Sequence, residues 1–266
     1  MRTIVLVLLV CAATLVQAQQ GKRPMSLYEQ TWAVNEGQQT GGARSFAEVS
    51  AGILLPGNSF GSVNANQQSG YAKNGFVVSA GGAVLVYKTL GIGATMAHFT
   101  SAVQTNNYLQ NTMRQLPAMI SGKMQAQNWR NTLLAAGPVI MIPQNRVMLD
   151  LYLQAGMLRS NSPEVVFTGS DGESQLLQVQ HAAQATALAA LGGMRLSYSL
   201  PQMYRLRVVA KADFMGATPI FHNRTTTMWN GTEIQTRHQN RQPVGSVALS
   251  VGLRYEFERK KHLPDK

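Results

Sequence analysis

From Ser45 to Phe257 the chain repeats one pattern: segments in which apolar and polar residues alternate, joined by connections that are by turns very short and very long. Alternation at every second residue marks a strand with one apolar and one polar face. It is clearest near the end, where Val247, Leu249, Val251, Leu253, Tyr255 and Phe257 share one face and Ser246, Ala248, Ser250, Gly252, Arg254 and Glu256 share the other. Residues 146–158 separate Val147, Leu149, Leu151, Leu153, Ala155 and Met157 from Asp150, Tyr152, Gln154 and Gly156. Residues 204–214 separate Tyr204, Leu206, Val208, Ala210, Ala212 and Phe214 from Arg205, Arg207, Val209, Lys211 and Asp213. The first segment, 45–55, sets Ala47, Val49, Ala51, Ile53 and Leu55 against Glu48, Ser50 and Gly52. Four further segments, near 75–87, 90–100, 129–142 and 185–199, are rich in glycine and alanine, and their spacing marks them as strands as much as their pattern does. A helix over 182–191 competes, because alanine is the best helix former. The Gly192-Gly193 pair and the alternating Arg195 and Ser197 argue against extending it.

Connection lengths supply an independent test. Short joins at 88–89, 143–145 and 201–202 alternate with connections near 56–74, 101–128, 159–184 and 217–244, which run to roughly 20 to 28 residues, far beyond an ordinary loop. Tight turns on one rim and long loops on the other are the plan of an outer-membrane barrel, with the turns in the periplasm and the loops outside. The expectation is an all-β chain: an eight-stranded antiparallel up-and-down transmembrane β-barrel over 45–257, with both chain ends in the periplasm. Alternation alone does not say which face is inside. The membrane reading rests also on an export signal and on the aromatic ending of the last strand.

The export signal is at the start. Arg2 precedes an apolar run from Ile4 to Val10, and Val16-Gln17-Ala18 offers small residues before a cut after Ala18. That run is too short to cross hydrocarbon as a helix. Val10 before Cys11 does not suit a lipoprotein anchor. Removing residues 1–18 removes the only cysteine, so neither a disulfide nor a thiolate metal site is expected. Residues 19–44 read as a periplasmic arm and 258–266 as a basic periplasmic tail. The net charge is +11, yet only 13% of residues are charged and the basic ones are scattered, which disfavours nucleic acid as a partner and favours anionic lipid headgroups or a cationic lumen.

Leu253, Tyr255 and Phe257, alternating and ending in phenylalanine, resemble the terminal signal read by the outer-membrane assembly machinery, although Glu258 to Lys266 follow where that family commonly ends. Leu133 to Pro143, with its central Gly137-Pro138, resembles a strand of the small, porin-like outer-membrane β-barrel proteins of Bacteroidetes-type bacteria. Asp150 to Gly156, Pro163-Glu164, Gly192 to Arg195 and Gln242 to Phe257 are similar to that family's later segments. The resemblance implies an eight-stranded barrel in the cell outer membrane of a Gram-negative envelope, and no settled activity.

The polar faces would direct Glu48, Asp150, Asp213 and Glu256 into the lumen with Arg195, Arg205, Arg207, Lys211 and Arg254. An eight-stranded barrel is only just wide enough to be filled by side chains, so these charges should pair as a plug. A selective path for anionic or hydrophobic solutes is the alternative. His98 and Thr100 share a face and distantly resemble the His-x-Ser pair of lipid A deacylases, but threonine replaces serine and no acid is placed to orient the histidine. The loop from His222 to Arg241 gathers Arg224, Arg237, His238 and Arg241 around Trp229, which would suit the phosphates of lipopolysaccharide. Tyr87, Trp129, Tyr204, Tyr255 and Phe257 fall where an interfacial aromatic girdle would lie. The sequence thus predicts a non-enzymatic envelope-structural or ligand-binding outer-membrane protein without cofactor or metal. A narrow channel is the second reading and a lipid A hydrolase a remote third. Its partners would be outer-membrane lipids, lipopolysaccharide and the assembly machinery. No feature sets an oligomeric state.

Overall fold

The computed structural model describes residues 44–64, 68–116, 119–200 and 203–257. The predicted leader (1–18), the arm apart from Arg44, and the tail (258–266) lie outside the described residues. In chain order the elements are β1 (Phe46–Gly57), α1 (Asn58–Gly61), β2 (Ala72–Tyr87), β3 (Leu90–Val103), α2 (Thr105–Gln115), β4 (Ser121–Ala126), β5 (Trp129–Gln144), β6 (Val147–Asn161), β7 (Val165–Ser170), β8 (Gln175–Gln180), β9 (Gln184–Leu200), β10 (Met203–Ala217), β11 (Ile220–Trp229), β12 (Thr232–Arg241) and β13 (Val244–Glu256).

Eight of these close into an antiparallel barrel in the order β1-β13-β10-β9-β6-β5-β3-β2, and they are the eight segments that alternation picks out. The competing helix over 182–191 does not form; those residues lie largely within β9. Closure runs from Phe46 opposite Glu256 to Gly57 opposite Gly245. Glycine is needed where β1 and β13 meet: a Cβ on Gly52 would stand 2.0 Å from the Leu249 carbonyl oxygen, and one on Gly252 would stand 2.1 Å from that of Val49. Two of the tight turns at the other rim carry Lys88 (φ 42°) and Asn145 (φ 52°) in the left-handed region.

The barrel is inside out relative to a soluble one. Large apolar side chains stand exposed around the outer wall, among them Val49 on β1, Val84 on β2, Ile92 on β3, Leu134 on β5, Leu153 on β6, Leu188 on β9, Phe214 on β10 and Val251 on β13. Contiguous apolar surface on this scale is rare on water-exposed monomers. The interior is filled. Ionic side chains occupy the half nearer the turns, while Phe99, Leu133, Leu158, Leu191 and Leu54 pack as an apolar layer nearer the loops. Phe60 from α1, Trp129 and Phe221 cap that layer with edge-to-face contacts at 5.4 and 5.9 Å between ring centroids.

The long connections are not plain loops. Three of them contribute strands to a second antiparallel sheet in the order β12-β11-β8-β7-β4. Asn230 (φ 48°) and Gly231 (φ 81°) form the β11–β12 turn, and Gly172 (φ 101°) lies in the β7–β8 turn. Asn-Gly and Asp-Gly pairs tolerate the positive φ that tight hairpins require. Backbone N–H groups of Ser174 and Glu173 donate to the Asp171 carboxylate in the latter turn and hold its pKa below the ordinary value. Met119, Phe167 and Leu176 form a small core of their own, against which Leu109 and Met113 of α2 and Trp229 of β11 pack.

Candidate functional site

The barrel register decides which of the predicted lumen charges meet. Asp150 stands opposite Arg195 on β9, Glu48 opposite Arg254 on β13, and Lys211 opposite Arg195. Glu48 Oε1 lies 3.1 Å from Arg195 Nε and 3.3 Å from Lys211 Nζ, and its Oε2 lies 3.5 Å from Arg254 Nη2. Asp150 accepts from Arg254 Nη2 and lies 3.6 Å from Arg195 Nη1. Asp213 lies 3.5 Å from Lys211 Nζ and accepts from the Tyr152 hydroxyl. Nearer the turns, Arg207 Nε is 2.6 Å from Glu256 Oε1.

Aromatic rings complete the packing. The Arg254 guanidinium sits 3.7 Å above the Phe46 ring centroid, and that of Arg195 sits 4.3 Å above Tyr152. Arg195, Arg254 and Asp150 are almost fully buried. The acids Glu48, Asp150, Asp213 and Glu256 therefore balance the bases Arg195, Arg207, Lys211 and Arg254 in a space without room for bulk water. A buried charge without its partner would cost several kcal/mol, on the order of 3 to 5.

Arg205 has no contact with these carboxylates among the described residues. The pairing of β10 with β9 is irregular between Met203 and Arg207, so alternation breaks there, and Arg205 Nη1 instead lies 3.3 Å from the Tyr255 hydroxyl. Trp129 is a second departure. It shares the inward face of β5 with Asn131 and Leu133, is buried, and donates from Nε1 to the Gly70 carbonyl at 3.0 Å, so it is not part of an outer girdle. Tyr87, Tyr255 and Phe257 do point outward, as does Leu253. His98 is also on the outer wall, where its Nδ1 pairs with Thr132 Oγ1 at 3.0 Å.

Above the filled lumen the second sheet, α2 and the barrel mouth line an open cavity of about 530 Å³. Its walls carry side-chain amides such as Asn111, Gln178, Asn223 and Gln242 and hydroxyls such as Tyr108 and Thr225, and among the described residues no Asp, Glu, Lys or Arg lines it. Tyr71 and Tyr108 stack there at 4.5 Å between centroids, and Asn111 Nδ2 donates to the Tyr71 hydroxyl at 3.0 Å. Burial, with the neighbouring Tyr71, pushes the Tyr108 phenol above its ordinary pKa. Asn223 is 3% exposed, and its Oδ1 has no hydrogen-bond partner among the described residues. The basic loop cluster expected around Trp229 is divided by the β11–β12 hairpin. Arg224 and Arg237 stand opposite one another with His222 beside them, His238 lines the cavity, and Trp229 packs against the small core.

No protein-family model and no curated protein sequence matches the chain. Among solved structures, a major outer membrane protein from Thermus thermophilus is similar at 14% identity and a TM-score of 0.47, over 81% of this chain and 100% of its own. Neisserial surface protein A is similar at 13% identity and a TM-score of 0.39, over 82% of this chain and 99% of its own. Ail, the attachment invasion locus protein of Yersinia pestis, is similar at 13% identity and a TM-score of 0.38, over 80% of this chain and 100% of its own. The eight-stranded barrel rests on this chain's own strand pairing.

The cavity is not legible in the sequence. Its walls come from four connections, and none of their polar residues stands out before the second sheet forms. The Asn230-Gly231 and Asp171-Gly172 turns are the available signal.

Proposed function

We propose that this protein is a non-enzymatic outer-membrane β-barrel that binds a ligand at its outer mouth and does not conduct. The observation that carries the reading is the lumen: ion pairs fill the half nearer the turns, an apolar layer fills the half nearer the loops, and an open cavity lies above both. The exposed apolar wall supports placement in a bilayer, because only a closed barrel satisfies its strands' backbone groups without water. The leader over 1–18, the periplasmic arm and tail, the assembly signal at Leu253, Tyr255 and Phe257, and the kinship with small Bacteroidetes-type barrels belong to the same proposal.

Sites for small molecules often lie in the mouths of β-barrels, and this cavity falls within their usual range of about 300 to 1,000 Å³. A lining rich in amides and hydroxyls, with His238 and the Trp129 and Phe221 rings and with no Asp, Glu, Lys or Arg among the described residues, suits a neutral, hydrogen-bonding solute such as a sugar. The Asn223 side chain, which lines the cavity, would exchange a hydrogen bond with one of its hydroxyls.

Two measurements test the reading. Protein refolded into lipid vesicles, migrating as a heat-modifiable band and strand-rich by circular dichroism, is expected to give no conductance steps in a planar bilayer. Stable ohmic steps would favour the channel. A panel of neutral mono- and disaccharides is expected to contain a member that raises the unfolding temperature of the wild type and not of Asn223→Ala. A panel without any such member would contradict the mouth-binding reading.

A further inference from the structure

The barrel register places three adjacent rows of outward-facing residues across β3, β5, β6 and β9. The lowest reads Met96, Leu134, Met157, Leu188; the next His98, Thr132, Arg159, Thr186; the highest Thr100, Arg130, Asn161, Gln184. The lowest row is wholly apolar and wholly exposed, with Leu188 at 84%. One strand step toward the loops, the surface turns basic and polar without an intermediate row. Followed onto β2 and β1, the same two upper rows become Val78, Ala51 and Phe76, Ile53, so the basic patch ends at β3.

A surface pocket of about 360 Å³ straddles the change, with Arg130, Arg159 and His98 above and Leu134 and Met157 below. Arg130 pairs with Asn161, which makes Arg159 its diagonal neighbour across the strands, roughly 7 to 8 Å away and close enough for one anion to meet both. No acidic side chain lines the pocket, and neither guanidinium has a carboxylate partner among the described residues. Arg159 Nη2 donates to Gln184 Oε1 at 2.7 Å, which holds its side chain against the wall.

We propose that Arg130 and Arg159, with His98, form a seat for the phosphate group of a lipid headgroup in the outer leaflet, whose acyl chains run down over Leu134, Met157 and Leu188. A lipid fits better than a free phosphate because the cations end directly on an exposed apolar wall. Guanidinium groups favour phosphate through paired N–H donors, and basic residues at a membrane boundary attract anionic headgroups. The inference rests on the membrane placement proposed above and is independent of the mouth cavity.

The test uses the full protein refolded in phosphatidylcholine nanodiscs containing a minor fraction of phosphatidic acid, a lipid with a phosphomonoester headgroup and matched acyl chains. Lipid retained after extraction is counted by native mass spectrometry. The wild type is expected to retain phosphatidic acid over phosphatidylcholine. The Arg130→Gln/Arg159→Gln double variant is expected to lose about 30-fold of that preference, the scale of two basic residues at a membrane surface. An Arg224→Gln/Arg237→Gln variant in the β11–β12 hairpin is expected to keep it, and millimolar inorganic phosphate is expected not to displace the lipid. Equal retention of both lipids, a loss equally large in the hairpin variant, or displacement by inorganic phosphate overturns the proposal. Heat-modifiable migration of each sample separates the outcomes: protein that folds in lipid without lipid preference removes the seat alone, whereas protein that does not insert removes the membrane placement.

Discussion

Replacing Arg254 with alanine is expected to destabilise the folded barrel by about 3 to 5 kcal/mol, the cost of leaving buried charges without their partner. Arg254 lies against both Glu48 and Asp150, and its guanidinium also covers the Phe46 ring. Removing it leaves Arg195 to serve both carboxylates, with Lys211 reaching Glu48 alone of the two. It also opens a void in the part of the lumen where β1 and β13 close the barrel. Arg207 makes a useful contrast, because among the described residues its carboxylate contact is to Glu256 and its side chain is 12% exposed. Arg207→Ala should therefore cost clearly less. Urea unfolding of both variants in lipid vesicles, followed by tryptophan fluorescence, checks the order. Equal midpoints for the wild type and Arg254→Ala would mean that the ionic cluster contributes nothing to the barrel.

Most of the barrel is written in the sequence as alternation, because a strand with an apolar outer face and a polar lumen face must separate its residues by parity. Val247 to Phe257 shows this plainly, and the glycine- and alanine-rich strands show it less because small residues suit either face. Parity also indicates which charges point inward, but not which of them touch. Asp150 meets Arg195 through the β6–β9 pairing, whereas Glu48 reaches Arg195 and Lys211 across the lumen from strands far away in sequence. That second kind of contact depends on the stagger of the whole barrel, which no local pattern encodes. Parity is also weakened at Arg205, where the strand pairing slips.

The second sheet is hidden for a different reason. Residues of β12 are almost all exposed, and the threonine run 225–227 of β11 has no apolar face, so there is little hydrophobic alternation to read. The Asn230-Gly231 pair is the stronger clue, since its left-handed backbone is what a two-residue hairpin requires. Trp129 misleads in the opposite way. An aromatic residue at a strand end suggests an interfacial girdle, yet this one turns inward, donates to Gly70 and packs against Phe60 and Phe221.

The outer wall gives the second large effect. Val251 stands near the middle of β13, points outward and is 67% exposed. On a water-facing surface, Val251→Arg would change stability by no more than about 0.5 kcal/mol. Facing the hydrocarbon midplane, the same change costs about 2 to 4 kcal/mol. The central claim, that this is an inside-out barrel held in a bilayer, is thus tested most directly by urea unfolding of wild type and Val251→Arg refolded in the same lipid vesicles. A midpoint lowered in proportion to that cost is the predicted result. An unchanged or raised midpoint would show that the apolar wall does not face lipid.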